Sequence, residues 1–182
     1  MTFIYNFILK PENLKKEGEM KKTWCLHLVL VPLVIFCLHG NVLAEGVWPF
    51  QFAIVTPVQV PSEDTSIHGL RINAIYGTSE NVIGLDFGLI NRTKGDFKGL
   101  GFGLANIVDG NASAWQFGFI NYVGGQGVGL QTGFYNHSEK MSGFQFGAIN
   151  WTRVLHGVQI GVLNFNVDGE PLMFFPIINI GF

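Results

Sequence analysis

Few residues in this chain have the type and spacing that chemistry requires. Its histidines beyond residue 45 are His68, His137 and His156, and no two of them have metal-ligand spacing. The adjacent His137-Ser138 pair invites comparison with lipid hydrolases that use His and Ser together. Neighbouring residues on a strand point to opposite faces, so these two do not form a natural dyad, and His-Ser-Glu also reads as turn chemistry. Gly99-Leu-Gly101-Phe-Gly103 is glycine-rich, yet no helix follows it to hold a phosphate. Asp86 stands where other segments carry Gln116, Gln131, Gln145 and Gln159; it reads as a solvated carboxylate, with a pairing to Arg71 or Arg92 as the alternative. The expectation is a protein without enzymatic activity, with no catalytic, cofactor-binding or metal-binding residues.

The elements that carry these residues come from one repeated phrase, G-φ-Q-φ-G-φ-φ-N, with φ apolar. Copies occupy 84–91, 99–106, 114–121, 129–136, 143–150 and 157–164, with a degenerate one at 172–179. Weaker copies lie at 49–56 and 69–76. The closing Asn residues are spaced 15, 15, 15, 14, 14 and 15 apart, so one structural unit is copied many times. In the copy at 143–150, Phe144, Phe146 and Ala148 share one face of an extended strand, and Gly143, Gln145 and Gly147 share the other. Two glycines per unit argue against helix, and the class is all-β.

Strings such as Lys94-Gly95-Asp96, Asp109-Gly110-Asn111 and Gly124-Gly125-Gln126 separate the units and have hairpin chemistry. Read so, the chain is an antiparallel up-and-down meander of eight or nine strands, one per repeat, closing into a small barrel. An 11-residue strand from 97 to 107 spans about 36 Å, or about 26 Å when tilted near 45°, close to the apolar band of an outer-membrane barrel. The alternative is a β-solenoid or open repeat sheet, because barrels alternate short turns with long loops and this spacing is uniform. The terminal Asn of each unit reads as a strand-ending residue that bonds its own backbone.

The bulky face has two possible orientations. It meets lipid in a membrane barrel, whereas it forms the core of a soluble repeat sheet. Three features favour lipid. The polar face lacks Lys and Glu, Tyr122, Trp151 and Phe165 cluster near strand ends, and Phe174, Ile178, Ile180 and Phe182 alternate at the end of the chain like an outer-membrane assembly signal.

Met20-Lys-Lys, the apolar run 26–38 and Val42-Leu43-Ala44 read as a secretory signal peptide at 20–44. Residues 1–19 fit no such architecture and read as upstream sequence translated ahead of a true start at Met20; peptides from 1–15 in the precursor would exclude this. Cys25 and Cys37 both fall in the signal, which leaves the single β-repeat domain at 45–182 without a disulfide. That domain holds six Lys/Arg and ten Asp/Glu and no basic stripe, which disfavours nucleic acid as a partner.

The repeat phrase, the opening Pro57-Val-Gln-Val and the string from Ile75-Tyr-Gly77 through Gly84-Leu-Asp-Phe-Gly88-Leu-Ile-Asn91 together resemble a family of bacterial surface-repeat proteins, over residues 48–182. The resemblance implies an exported envelope protein of a Gram-negative-type bacterium and brings no catalytic residues with it. The expected role is that of an outer-membrane or cell-surface protein with a structural or surface-interaction function, its partners being outer-membrane lipid and the barrel-assembly machinery. The alternatives are a secreted or surface-attached soluble repeat protein for adhesion or ligand binding and, remotely, an outer-membrane lipid-modifying enzyme.

Overall fold

The computed structural model describes residues 46–169 and 173–182. The proposed signal segment and the upstream residues lie outside these. The described residues are all-β, in nine strands of one mixed sheet. β1 is Val47–Val55, β2 Val58–Val60, β3 Ser66–Ser79, β4 Val82–Thr93, β5 Phe97–Phe102, β6 Ala105–Val108, β7 Ala112–Phe117, β8 Ile120–Asn166 and β9 Phe174–Gly181.

One strand path per repeat is present, and the arrangement is the β-solenoid, not the antiparallel barrel. Pairing along the stack is parallel and in register at the repeat spacing, as in Gly84↔Gly99, Gly99↔Ala114 and Ala114↔Gly129. The same holds for Asn91↔Asn106 and Asn106↔Asn121. Only β2 on β1 and β9 on β8 pair antiparallel. The connecting strings are therefore corners, not hairpins. Gly110 N donates to Gly95 O and Gly125 N to Gly110 O, so each corner bonds the corner below it, one repeat away. Asp96, Asn111 and Gln126 N likewise donate to the side-chain oxygens of Asn81, Asp96 and Asn111. That ladder stops where the spacing falls from 15 to 14, so the shorter repeats have lost one corner residue.

Each coil runs along a long side, turns at a glycine, returns along a short side and turns again at the polar corner. In the 97–111 coil these parts are β5, Gly103-Leu104, β6 and 109–111. The interior is largely polar. Asn residues form a buried column in which each Nδ2 donates to the next Oδ1, from Asn73 through Asn91, Asn106, Asn121, Asn136 and Asn150 to Asn164, at 2.8–3.0 Å. The same Nδ2 groups reach Phe102, Phe117, Thr132, Phe146 and Ile160 carbonyls in the next coil. These Asn side chains chiefly couple coils to one another, and only Asn150 and Asn164 also bond their own backbone three residues back, at Gly147 O and Gly161 O, which corrects the sequence expectation. The β3 coil has Gly77 where the later coils have Asn, and Asn73 fills that place from across the interior.

A second column is Gln116, Gln131, Gln145 and Gln159, linked by Nε2-to-Oε1 bonds of 2.7–3.0 Å, and Asn179 Nδ2 ends it on Gln159 Oε1. In one coil Gly101 takes the Gln place, and the ring of Phe97 occupies the space beside it. The main apolar cluster lies at the polar-corner end, where Ile67, Val82, Phe97 and Ala112 meet Val108 and Val123.

Candidate interaction surface

The exterior is built by the same alternation that puts Gln and Asn inside. Side chains between the inward ones must point out, and these are the bulky residues. Leu85, Leu100, Trp115, Leu130, Phe144 and Val158 form one outward column. Phe87, Phe102 and Phe117 stack in the next, with ring centroids 5.2 and 5.1 Å apart. Around the glycine corner come Leu89, Leu104, Phe119 and Phe134, the last two stacked at 4.9 Å. Ile90, Ala105, Ile120, Tyr135, Ile149 and Leu163 begin the short side. Trp115 is 55 % exposed, Leu104 55 % and Phe119 53 %, so the bulky face of the repeat is outside.

These four outward columns carry no Lys, Arg, His, Asp or Glu in any of the six coils from 82 to 169. The charges gather at and beside the opposite, polar corner. There Arg92 pairs with Asp109 at 2.9 Å, Lys94 with Asp64 at 2.8 Å and Arg153 with Asp168 at 3.0 Å. Hydrogen bonds that Arg92 donates to Tyr76 and then to Asp109 raise its pKa above the ordinary value, and Asp64 raises that of Lys94. Such exposed pairs add little stability; their importance is to make the solenoid amphipathic in cross-section. Six coils at about 4.8 Å stand about 29 Å tall and the two charge-free columns of the long side span about 13 Å, so they offer about 400 Å². That is within the range of the largest apolar patch on a typical monomer, before the corner and short-side columns are added.

Asp86 is not solvated. It is buried opposite Arg71, whose Nε and Nη2 reach its two carboxylate oxygens at 2.8 and 2.5 Å. Arg71 also donates to Arg92 O at 2.7 Å, Ser79 Oγ at 3.1 Å and Thr93 Oγ1 at 3.2 Å. The pair occupies the Gln column, so it is an interior brace. Arg92, the other partner considered, lies outside at the polar corner.

His137 and Ser138 face opposite ways. Ser138 is buried and donates to Gln131 Oε1, whereas His137 lies outside in an aromatic stack, 4.6 Å from Tyr122 and 4.3 Å from Trp151. Tyr122 and Trp151 are thus members of one column and not a girdle at strand ends. His68 and His156 sit just before the first glycine of their repeats, far apart along the stack. No group of three metal-ligating side chains occurs among the described residues. No helix among them is long and apolar enough to cross a membrane.

Burial holds the His137 imidazole below its ordinary 6.5, against an opposing pull from Glu139. An unfolded chain takes up this proton as pH falls through 6.5 while the folded chain resists it. The stabilisation from the neutral ring is therefore complete above 6.5 and is lost progressively as pH falls toward the lowered value. His137→Phe keeps a ring in the stack and removes the titration. We expect its melting temperature to fall less than that of the parent between about pH 7.5 and about pH 5.5. Equal falls in the two proteins would contradict this.

No protein-family model matches the chain, and neither a curated protein nor a solved structure matches it.

Proposed function

We propose that this is a non-enzymatic envelope protein, exported and held at the outer membrane or cell surface, that lies edge-on against lipid through its apolar belt. The carrying observation is the segregation just described: four outward columns without a charged residue over six coils, with the charges at and beside the polar corner. Lipid is favoured as the occupant because it meets a continuous apolar band without requiring a complementary shape, and because aromatic rings suit the headgroup boundary. The signal-like segment 20–44 and the likeness of the repeat phrase to bacterial surface-repeat proteins support the same reading. Barrel-assembly machinery drops out of the proposal together with the antiparallel barrel. A lipid-modifying activity has no support in the opposed directions of His137 and Ser138.

Flotation with phosphatidylethanolamine/phosphatidylglycerol vesicles tests the proposal. The parent protein is expected to float. A Phe102→Lys/Leu104→Lys variant, with two charges set into the belt, is expected to bind at least about 10-fold more weakly, which corresponds to about 1.4 kcal/mol. Unchanged flotation of that variant contradicts lipid contact through the belt. Failure of the parent to float would likewise contradict lipid contact through the belt.

A further inference from the structure

We propose that the outer edge of β9 is a site of strand addition for a second copy of this chain, paired antiparallel about a twofold axis near Asn179. The two ends of the solenoid are finished differently. At the first end β2, three residues long and set between Pro57 and Pro61, covers β1 from Phe52 to Val55 and leaves only Val47–Gln51, interrupted by Pro49, at the edge. At the other end the edge strand is β9, eight residues without a single charged side chain. Its inner edge pairs with β8 from Gly157 to Phe165, and among the described residues no strand pairs with its outer edge. A row of backbone donors and acceptors is left for another strand.

The register selects the occupant. Ile178 lies opposite Ile160, Asn179 opposite Gln159 and Ile180 opposite Val158, so β9 continues two outward apolar columns and the inward Gln column. Pro176 lacks an N–H, and Ile177 is in the left-handed region with φ 72, so regular pairing is confined to 178–181. A twofold axis at Asn179 sets Ile178 of one copy against Ile180 of the other, a favourable cross-strand apolar pair. The same strand thus complements itself, as an isologous interface requires. The dimer would join the long apolar sides of two solenoids into one surface. This proposal does not depend on lipid being what the belt contacts.

The test uses the full chain in detergent micelles with Cys25 and Cys37 changed to Ser. Asn179→Cys in that background is expected to give mostly covalent dimer on oxidation, because directly opposed residues of an antiparallel pair lie within disulfide reach. Ser113→Cys, on the exterior of β7, is expected to stay monomeric. Adding Ile178→Lys/Ile180→Lys should cut the cross-linked fraction at least about 5-fold, since like charges then face each other. Sedimentation of the unmodified chain at about 100 µM should give a dimer mass after micelle subtraction, a concentration suited to a modest interface. A monomer mass, absence of cross-linking at 179, equal cross-linking at 113, or insensitivity to the two lysines would each overturn the proposal. So would loss of cross-linking in the Phe102→Lys/Leu104→Lys variant, which should weaken vesicle binding and leave the β9 pairing intact.

Discussion

Asp86→Leu is expected to cost about 3–5 kcal/mol, because it leaves the Arg71 guanidinium charged and buried with no counter-ion. That is a large share of the about 5–15 kcal/mol that holds a domain folded. The remaining acceptors, Arg92 O, Ser79 Oγ and Thr93 Oγ1, satisfy some of its N–H groups but neutralise none of its charge. In a stacked repeat the damage should stay near its source. Hydrogen exchange should rise in β3 and β4 well before it rises in 141–166. The double variant Arg71→Leu/Asp86→Leu should recover most of the loss, since removing both charges removes the desolvation penalty as well. A single variant that melts within about 2 °C of the parent would show that the pair is not the brace described.

Gly143→Val is expected to be comparably severe, at about 3–5 kcal/mol. Gly143 has φ 135, and a Cβ there would overlap the Gly129 carbonyl oxygen. The obstacle is backbone of the neighbouring coil, so relief requires coils to separate and ladder bonds to lengthen. A β-branched residue adds strain at that φ. Ala114 occupies the equivalent place in its own coil, and it is not among the residues with positive φ. The column therefore accepts a methyl only where the backbone abandons the positive φ. Ala114→Gly should accordingly be far milder than Gly143→Val; equal effects would refute the overlap as the cause. Thermal denaturation of the two variants side by side gives the comparison.

These interior features show which parts of the fold were legible in the residues. The repeat period and the alternation in Gly143-Phe-Gln-Phe-Gly-Ala fixed the all-β class and the face to which each residue belongs. The direction of the connection was not legible. Asp109-Gly110 supplies the same backbone freedom to a hairpin and to a corner, and only a partner one repeat away distinguishes the two. The spacing did hold a clue, because the shortening to 14 falls within the corner and leaves the Asn and Gln columns in step. The Asn column was obscured by a competing local explanation, since Asn at a strand end is ordinary turn chemistry. The Arg71–Asp86 brace also left a trace, as opposite charges one full repeat apart on the inward parity. Phe97 beside Gly101 shows the same logic, with a large residue in one column filling the space of a missing side chain in the next.

The bulky columns point outward, a placement that the sequence tied to a barrel, and do not form a core. In the solenoid this placement coexists with parallel pairing because Asn, Gln and an ion pair fill the interior, with Asn73 Oδ1, Thr78 Oγ1 and Gln116 Nε2 left unpaired, and little apolar core is needed. A side chain in the middle of the belt can report directly on what covers it. With Trp24, Trp48 and Trp151 changed to Phe, Trp115 is the sole indole. Its fluorescence in vesicles containing acyl-chain-brominated lipid should be strongly quenched relative to unbrominated vesicles. Equal emission in the two, with the protein remaining in the aqueous phase, would contradict lipid contact through the belt.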